Sequence, residues 1–244
     1  MSFWPDLINS LDANRPVQKQ VGEIMRLQLG IKSDAKEKAA AAEKSQKWEH
    51  LNDVGRRAAK REEIAEMVKS NAQARVSLRK LRTEIKGSLP KLPGREKDDL
   101  AGVLQDQEYR AYVRSLPQEQ RDSVRRLHPD IAAAVARAPA ELSGLHPVVH
   151  QELVNSTLRQ THGAELARMN GDTEAIRWAE TLIGEADKAI REAGDVAHSS
   201  EHRAWAKPLV DPILTEAGTD FDELYRRKEP DELNPLGALT VNAA

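Results

Sequence analysis

His198-Ser199-Ser200-Glu201-His202 is the one string in this chain whose residue types and spacing spell out a reaction. On a helix, two histidines four apart share a face and can ligate one metal ion. The glutamate between them can then act as general base on a metal-bound water, and H-x-x-E-H is a known zinc-binding order. That reading makes His198 and His202 the metal candidates, with Glu216 or Glu223 available downstream as a third ligand that spacing does not select. The same five residues also read as a helix start, because they follow Gly194 and carry two capping serines across their middle. The second reading is the expected one, so no metal site is assigned.

His146 and His150 form another pair four apart, with Glu152 nearby. His146 precedes Pro147, which disfavours helical backbone there and places it as a cap turned away from His150. The chain has no glycine-rich phosphate loop, no G-x-S-x-G elbow and no cysteine. It also lacks paired carboxylates in an apolar setting, so neither nucleophilic nor acid–base catalysis has a nominee. An enzyme is not expected, and no cofactor is called for.

Chemistry of another kind lies between Lys69 and Lys97, where nine Lys and Arg face only Glu84 and Glu96, a net charge of +7. Such a stretch meets phosphates through counterion release, and Arg75, Arg79, Arg82 and Lys86 are the candidate contacts to a nucleic acid. No aromatic residue occurs from 49 to 108, so base stacking is not offered and binding would be non-specific. The competing reading is a face that is solvated or docks on an acidic partner, this chain's own second half included. Net charge is +8 over residues 1–97 and −10 over residues 98–244.

The elements that carry these residues read as helices. The 244 residues are 39% hydrophobic but only 4% aromatic, a supply of small and straight-chain apolar groups that suits close-packed helices rather than strands. The expected class is all-α: a long N-terminal helix or helical hairpin, coiled-coil-like, followed by a compact domain of short helices. No apolar run reaches the length of a membrane span, and the N-terminus lacks the order of a signal peptide.

Residues 1–86 read as an apolar tip plus a long charged helical region. In the tip, Phe3, Trp4, Leu7, Ile8 and Leu11 fall at roughly helical spacing. They form either a staple folded back on the long helix or a docking element for a partner. Val17, Val21, Ile24 and Ile31 keep a heptad-like spacing, and Ile64, Val68, Leu78 and Ile85 do so again after a stutter; these eight are the expected oligomerisation seam. A helix this polar must fold back, near Gly55, or associate. Two prolines and two glycines in 87–94 mark a basic linker over 87–97. Beyond it, 98–228 reads as one domain of short helices and 229–244 as a tail. Within that domain a helix from Pro147 stops at Gly163, Asp172 caps an amphipathic helix on Ile176, Ala179, Ile183, Ala186 and Ile190, and Pro208 with Pro212 interrupts another.

Ala138-Pro139-Ala140-Glu141-Leu142-Ser143-Gly144-Leu145, with the helices that follow to about residue 170, resembles uncharacterised helical proteins of bacteriophage and prophage gene clusters. The resemblance implies a phage-encoded protein. Together with a long charged helix and no catalytic constellation, it leads to the expectation of a structural or assembly protein of a phage particle: scaffold-like, head–tail or internal. Such a protein would act through helical homo-oligomerisation with other phage structural proteins as partners, in the host cytoplasm during assembly and then in the virion. A nucleic-acid-binding module is the first alternative, non-specific DNA its ligand, and a zinc metallohydrolase the second.

Overall fold

The computed structural model describes residues 3–45, 47–96, 98–121, 123–124 and 128–226. Among these the chain is all-α, with no strand. Ten α-helices follow in order: α1 Phe3–Ser10, α2 Pro16–Ala41, α3 Asp53–Glu63, α4 Ala65–Gly87, α5 Leu100–Ser115, α6 Gln118–Arg121, α7 Pro129–Ala136, α8 Pro147–Ala193, α9 Ser199–Ala217 and α10 Phe221–Tyr225. None is long and apolar enough to cross a membrane. The tail called over 229–244 lies outside the described residues.

The charged N-terminal region takes the hairpin form. Two 3-10 turns, Ala42–Lys44 and Trp48–His50, reverse the chain a few residues before Gly55. Asn52 then caps α3 by accepting a hydrogen bond from the Gly55 amide. α2 lies against α3 and α4. Antiparallel packing is fixed by Lys60 with Glu43 near the turn and by Asn71 Nδ2 donating to Gln28 Oε1 at 2.9 Å further along.

The described helices form two compact units, one holding the chain up to residue 87 together with 171–226 and the other holding 88–170. This differs from a single domain over 98–228, because the chain past Gly171 returns to the N-terminal hairpin. In the first unit, Ile31 and Ala35 of α2 pack with Ile64 between α3 and α4, Val68 of α4, Ile190 of α8, Val210 of α9 and Phe221 of α10. A hairpin this polar needs such an apolar cover, and the stripe from Ile176 to Ile190 supplies it. In the second unit, Val113, Val124, Val135, Leu145 and Leu153 make a smaller core.

Two readings of helix punctuation are corrected. The stop expected at Gly163 falls at a kink, since the helix from Pro147 gives way at His162 (φ −123°, ψ 26°) to a second helix that runs to Ala193; Asp172, however, sits inside that second helix and pairs with Arg15 at 2.6 Å instead of capping it. Pro208 and Pro212 lie within α9 rather than interrupting it. Both are exposed and four apart on one face, so the carbonyls that lose an amide partner, those of Ala204 and Pro208, belong to solvent-exposed residues.

A candidate anion-binding cleft

Arg75, Arg79, Arg82 and Lys86 recur at intervals of 4, 3 and 4, which places all four on one face of α4. Leu78, Leu81 and Ile85 of the same helix are buried and hold that face in place. In the first unit these four cations line a cleft of about 750 Å³ together with Arg177 and Glu180 of α8, Glu223 of α10 and Arg226. Six basic side chains thus meet two acidic ones.

Each arginine of α4 is held differently. Arg75 Nε donates to Asn71 Oδ1 at 3.1 Å, and its guanidinium lies 4.6 Å from the centre of the Tyr225 ring. Burial pushes the Tyr225 hydroxyl up to about 12, against the opposing pull of the Arg75 cation. Asn71 is itself buried and donates to Gln28 and to the Ile183 carbonyl, so Arg75 stands on a fixed base. Arg79 donates through Nη1 to Thr219 Oγ1 and through Nη2 to Glu223, whose carboxyl is held below its usual range by Arg79 first and by Thr219 second. Arg82, buried, donates to Glu180 Oε2 at 2.7 Å. Lys86 and Arg177 have no ion-pair partner among the described residues.

Of these groups, sequence spacing exposes only the α4 set. Arg177, Glu180, Glu223 and Arg226 lie about 90 to 150 positions away and carry no local signal; the opposite net charges of the two halves are the one hint that acids would meet this face.

The H-x-x-E-H string does not assemble a metal site. His198 is exposed, with extended backbone (φ −125°, ψ 152°), directly before α9, so it does not share a helix face with His202. His202 is 6% exposed, its Nε2 3.6 Å from Asp187 Oδ1, amid the rings of Trp205, Phe221 and Tyr225. Glu201 pairs with Arg61 and accepts from the Ala197 amide, both of which keep its carboxyl low. Of the proposed third ligands, Glu223 is committed to Arg79 and Glu216 is exposed. No group of three or more His, Asp or Glu placed to hold a metal occurs among the described residues. The other pair is also split: His146 Nδ1 accepts from the Val148 amide, and His150 Nε2 lies 2.7 Å from the Ala138 carbonyl oxygen.

The expected association surfaces are turned inward. Of the seam, Val21, Ile31, Ile64, Val68, Leu78 and Ile85 are buried inside this chain, and Val17 and Ile24 are half-buried. The seam is therefore covered by the chain's own helices, not left open for copies. At the tip, Ile8 is 3% exposed and Trp4 Nε1 donates to Glu185 Oε2 at 3.0 Å, while Leu7 and Leu11 are half-buried; only Phe3, 65% exposed, points outward. This is the staple rather than a free docking element. The chain matches no protein-family model, and no curated protein or solved structure matches it.

Proposed function

We propose that this protein is a non-enzymatic helical binding module whose α4 cleft takes the phosphate backbone of a nucleic acid. One observation carries the reading: among the described residues, Arg75, Arg79, Arg82, Lys86, Arg177 and Arg226 converge on one cleft with two carboxylates. A concentration of positive charge in a concave site favours an extended polyanion, which releases counterions as it binds. No aromatic side chain lines the cleft among the described residues, so the contacts offered go to phosphate and sugar and do not read bases. Fluorescence anisotropy of a labelled single strand across a salt series tests this. Lys86→Ala is expected to weaken binding to all sequences alike and to lower the log–log salt slope by about 1. Absence of binding at low salt ends the proposal.

A second reading, an assembly component of a phage particle associating with its own copies, is favoured by a different surface. Leu100 (71% exposed), Leu104 (60%), Val103 and Tyr112 of α5 are large apolar side chains left exposed among the described residues. Sedimentation velocity of the wild type against Leu104→Lys tests it. A concentration-independent monomer in both proteins removes this reading.

A further inference from the structure

We infer that Arg79 and Thr219 form a phosphate seat that the Glu223 carboxylate occupies in the ligand-free protein. The inference rests on the nucleic-acid reading of the cleft. Three polar groups converge at this point: Arg79 Nη2 donates to one oxygen of Glu223, Thr219 Oγ1 donates to the other at 2.7 Å, and Arg79 Nη1 donates to Thr219 at 2.6 Å. A guanidinium and a hydroxyl that together hold a carboxylate also match the oxygens of a phosphodiester, which is a tetrahedral anion with the same acceptor chemistry.

The glutamate is placed to leave without disturbing the fold. Its helix α10 is anchored by Phe221 and Leu224, both buried in the core of the first unit, and started by Asp220, which accepts from the Glu223 amide. The Glu223 side chain is itself close to half exposed. Only its χ rotation into solvent is needed, while the backbone stays capped. Glu180 has no such freedom, since it binds the buried Arg82. The two acids of the cleft therefore differ: Glu180 holds its arginine in place, and Glu223 competes with the ligand.

This sets Glu223 as the residue that limits affinity. A phosphate arriving at Arg79 displaces the carboxylate and leaves it a few ångströms away, a like charge that opposes binding. Neutralising it removes both the competitor and the repulsion, and one unit charge at about 4 Å in water corresponds to about fivefold in a binding constant. The test titrates a labelled thymidine oligonucleotide at low salt into wild type, Glu223→Gln, Thr219→Val and Glu216→Gln. The last neutralises an exposed glutamate of α9 outside the cleft and controls for net charge.

Glu223→Gln is expected to tighten binding about fivefold over both wild type and Glu216→Gln, and Thr219→Val to weaken it about threefold by removing one donor. A Glu223→Gln that binds no more tightly than Glu216→Gln, or a Thr219→Val that binds like wild type, overturns the seat while the wild-type affinity keeps the cleft. Circular dichroism of the same samples verifies that α10 is retained; should Glu223→Gln unfold, Thr219→Val decides alone. If no variant and no wild type binds at low salt, the nucleic-acid reading falls and the seat with it.

Discussion

Asp106 accepts hydrogen bonds from two guanidinium groups at once. Arg137 reaches it at 2.7 and 2.9 Å, and Arg95 at 3.0 Å. The carboxylate is almost fully buried on α5, and burial alone would raise its pKa, but the hydrogen bonds of Arg137 and Arg95 outweigh that and hold it low. It ties the 87–97 segment to α5 and α7. Asp106→Asn is expected to cost roughly 3 kcal/mol, since it leaves Arg137 without a counter-charge and Arg95 with only its longer pair with Asp99 at 3.5 Å, and hydrogen exchange should show α5 and α7 losing protection first. His202 makes the opposite kind of demand. Burial pushes its pKa below the ordinary value, Asp187 opposes this, and Arg191 and Arg75 add to it, so the ring folds neutral. A depressed histidine pKa means that the unfolded chain binds the proton first. Stability is therefore expected to fall as pH drops below about 6.5. Thermal melts of His202→Gln should lack that decline, whatever stability the variant has at neutral pH. Asp106, Glu201 and Glu223, all held low, withdraw their contributions only in the more acid window below about 4, so the two losses separate on the pH axis.

At the scale of elements, α1 carries a clear expectation. Ile8 is buried and Trp4 bonds to Glu185, so the helix is part of the first unit's packing. Ile8→Ala is expected to destabilise by about 2–4 kcal/mol, as deletion of a buried branched side chain does. Removing residues 2–11 should lower the melting temperature further without affecting oligonucleotide binding at the α4 cleft; unchanged melting would contradict the staple. The stripe from Ile176 to Ile190 was legible because a period of 3.6 is a statement about one helix, and each of its five residues is buried. The heptad spacing of Val21, Ile31, Ile64 and Val68 was legible in the same sense, since it says that a face is covered. It does not say by what, and the cover came from α8 and α9, more than a hundred residues away. Gly163 was legible as the break in the run from Pro147, where His162 leaves helical backbone, whereas the two prolines of α9 misled. Their local preference against helix is worth a few kcal/mol at most, and the packing of Ala206 and Val210 in the core of the first unit outweighs it. The cleft was half legible: four cations on one helix face follow from spacing, whereas Arg177, Glu180 and Glu223 arrive through tertiary folding alone.

At the scale of the whole molecule, the charge division of the sequence becomes a set of contacts. Arg15 pairs with Asp172, Lys32 with Glu185, Lys60 with Asp195, Arg61 with Glu201, Arg79 with Glu223 and Arg82 with Glu180, each joining the basic first part of the chain to the acidic part after Gly171. All six lie within the first unit. Exposed pairs contribute little singly, about 0–1 kcal/mol each, and salt screens them. With a Debye length of about 30 Å at 0.01 M and about 3 Å at 1 M, long-range attraction between the two parts is present only at low ionic strength. Raising sodium chloride across that range should therefore cost the first unit about 1–2 kcal/mol, and the melting temperature a few degrees. Oligonucleotide binding also weakens with salt, so the two effects must be separated. The Arg15–Asp172 pair does so, because neither residue lines the cleft. Arg15→Asp or Asp172→Arg alone is expected to lower the melting temperature at low salt, and the double exchange to restore most of the loss, since the pair is in contact and its coupling is not additive. Through all three variants the oligonucleotide affinity should stay at the wild-type value; a parallel loss of binding would mean that the cleft draws on the field of the whole first unit rather than on the six side chains that line it.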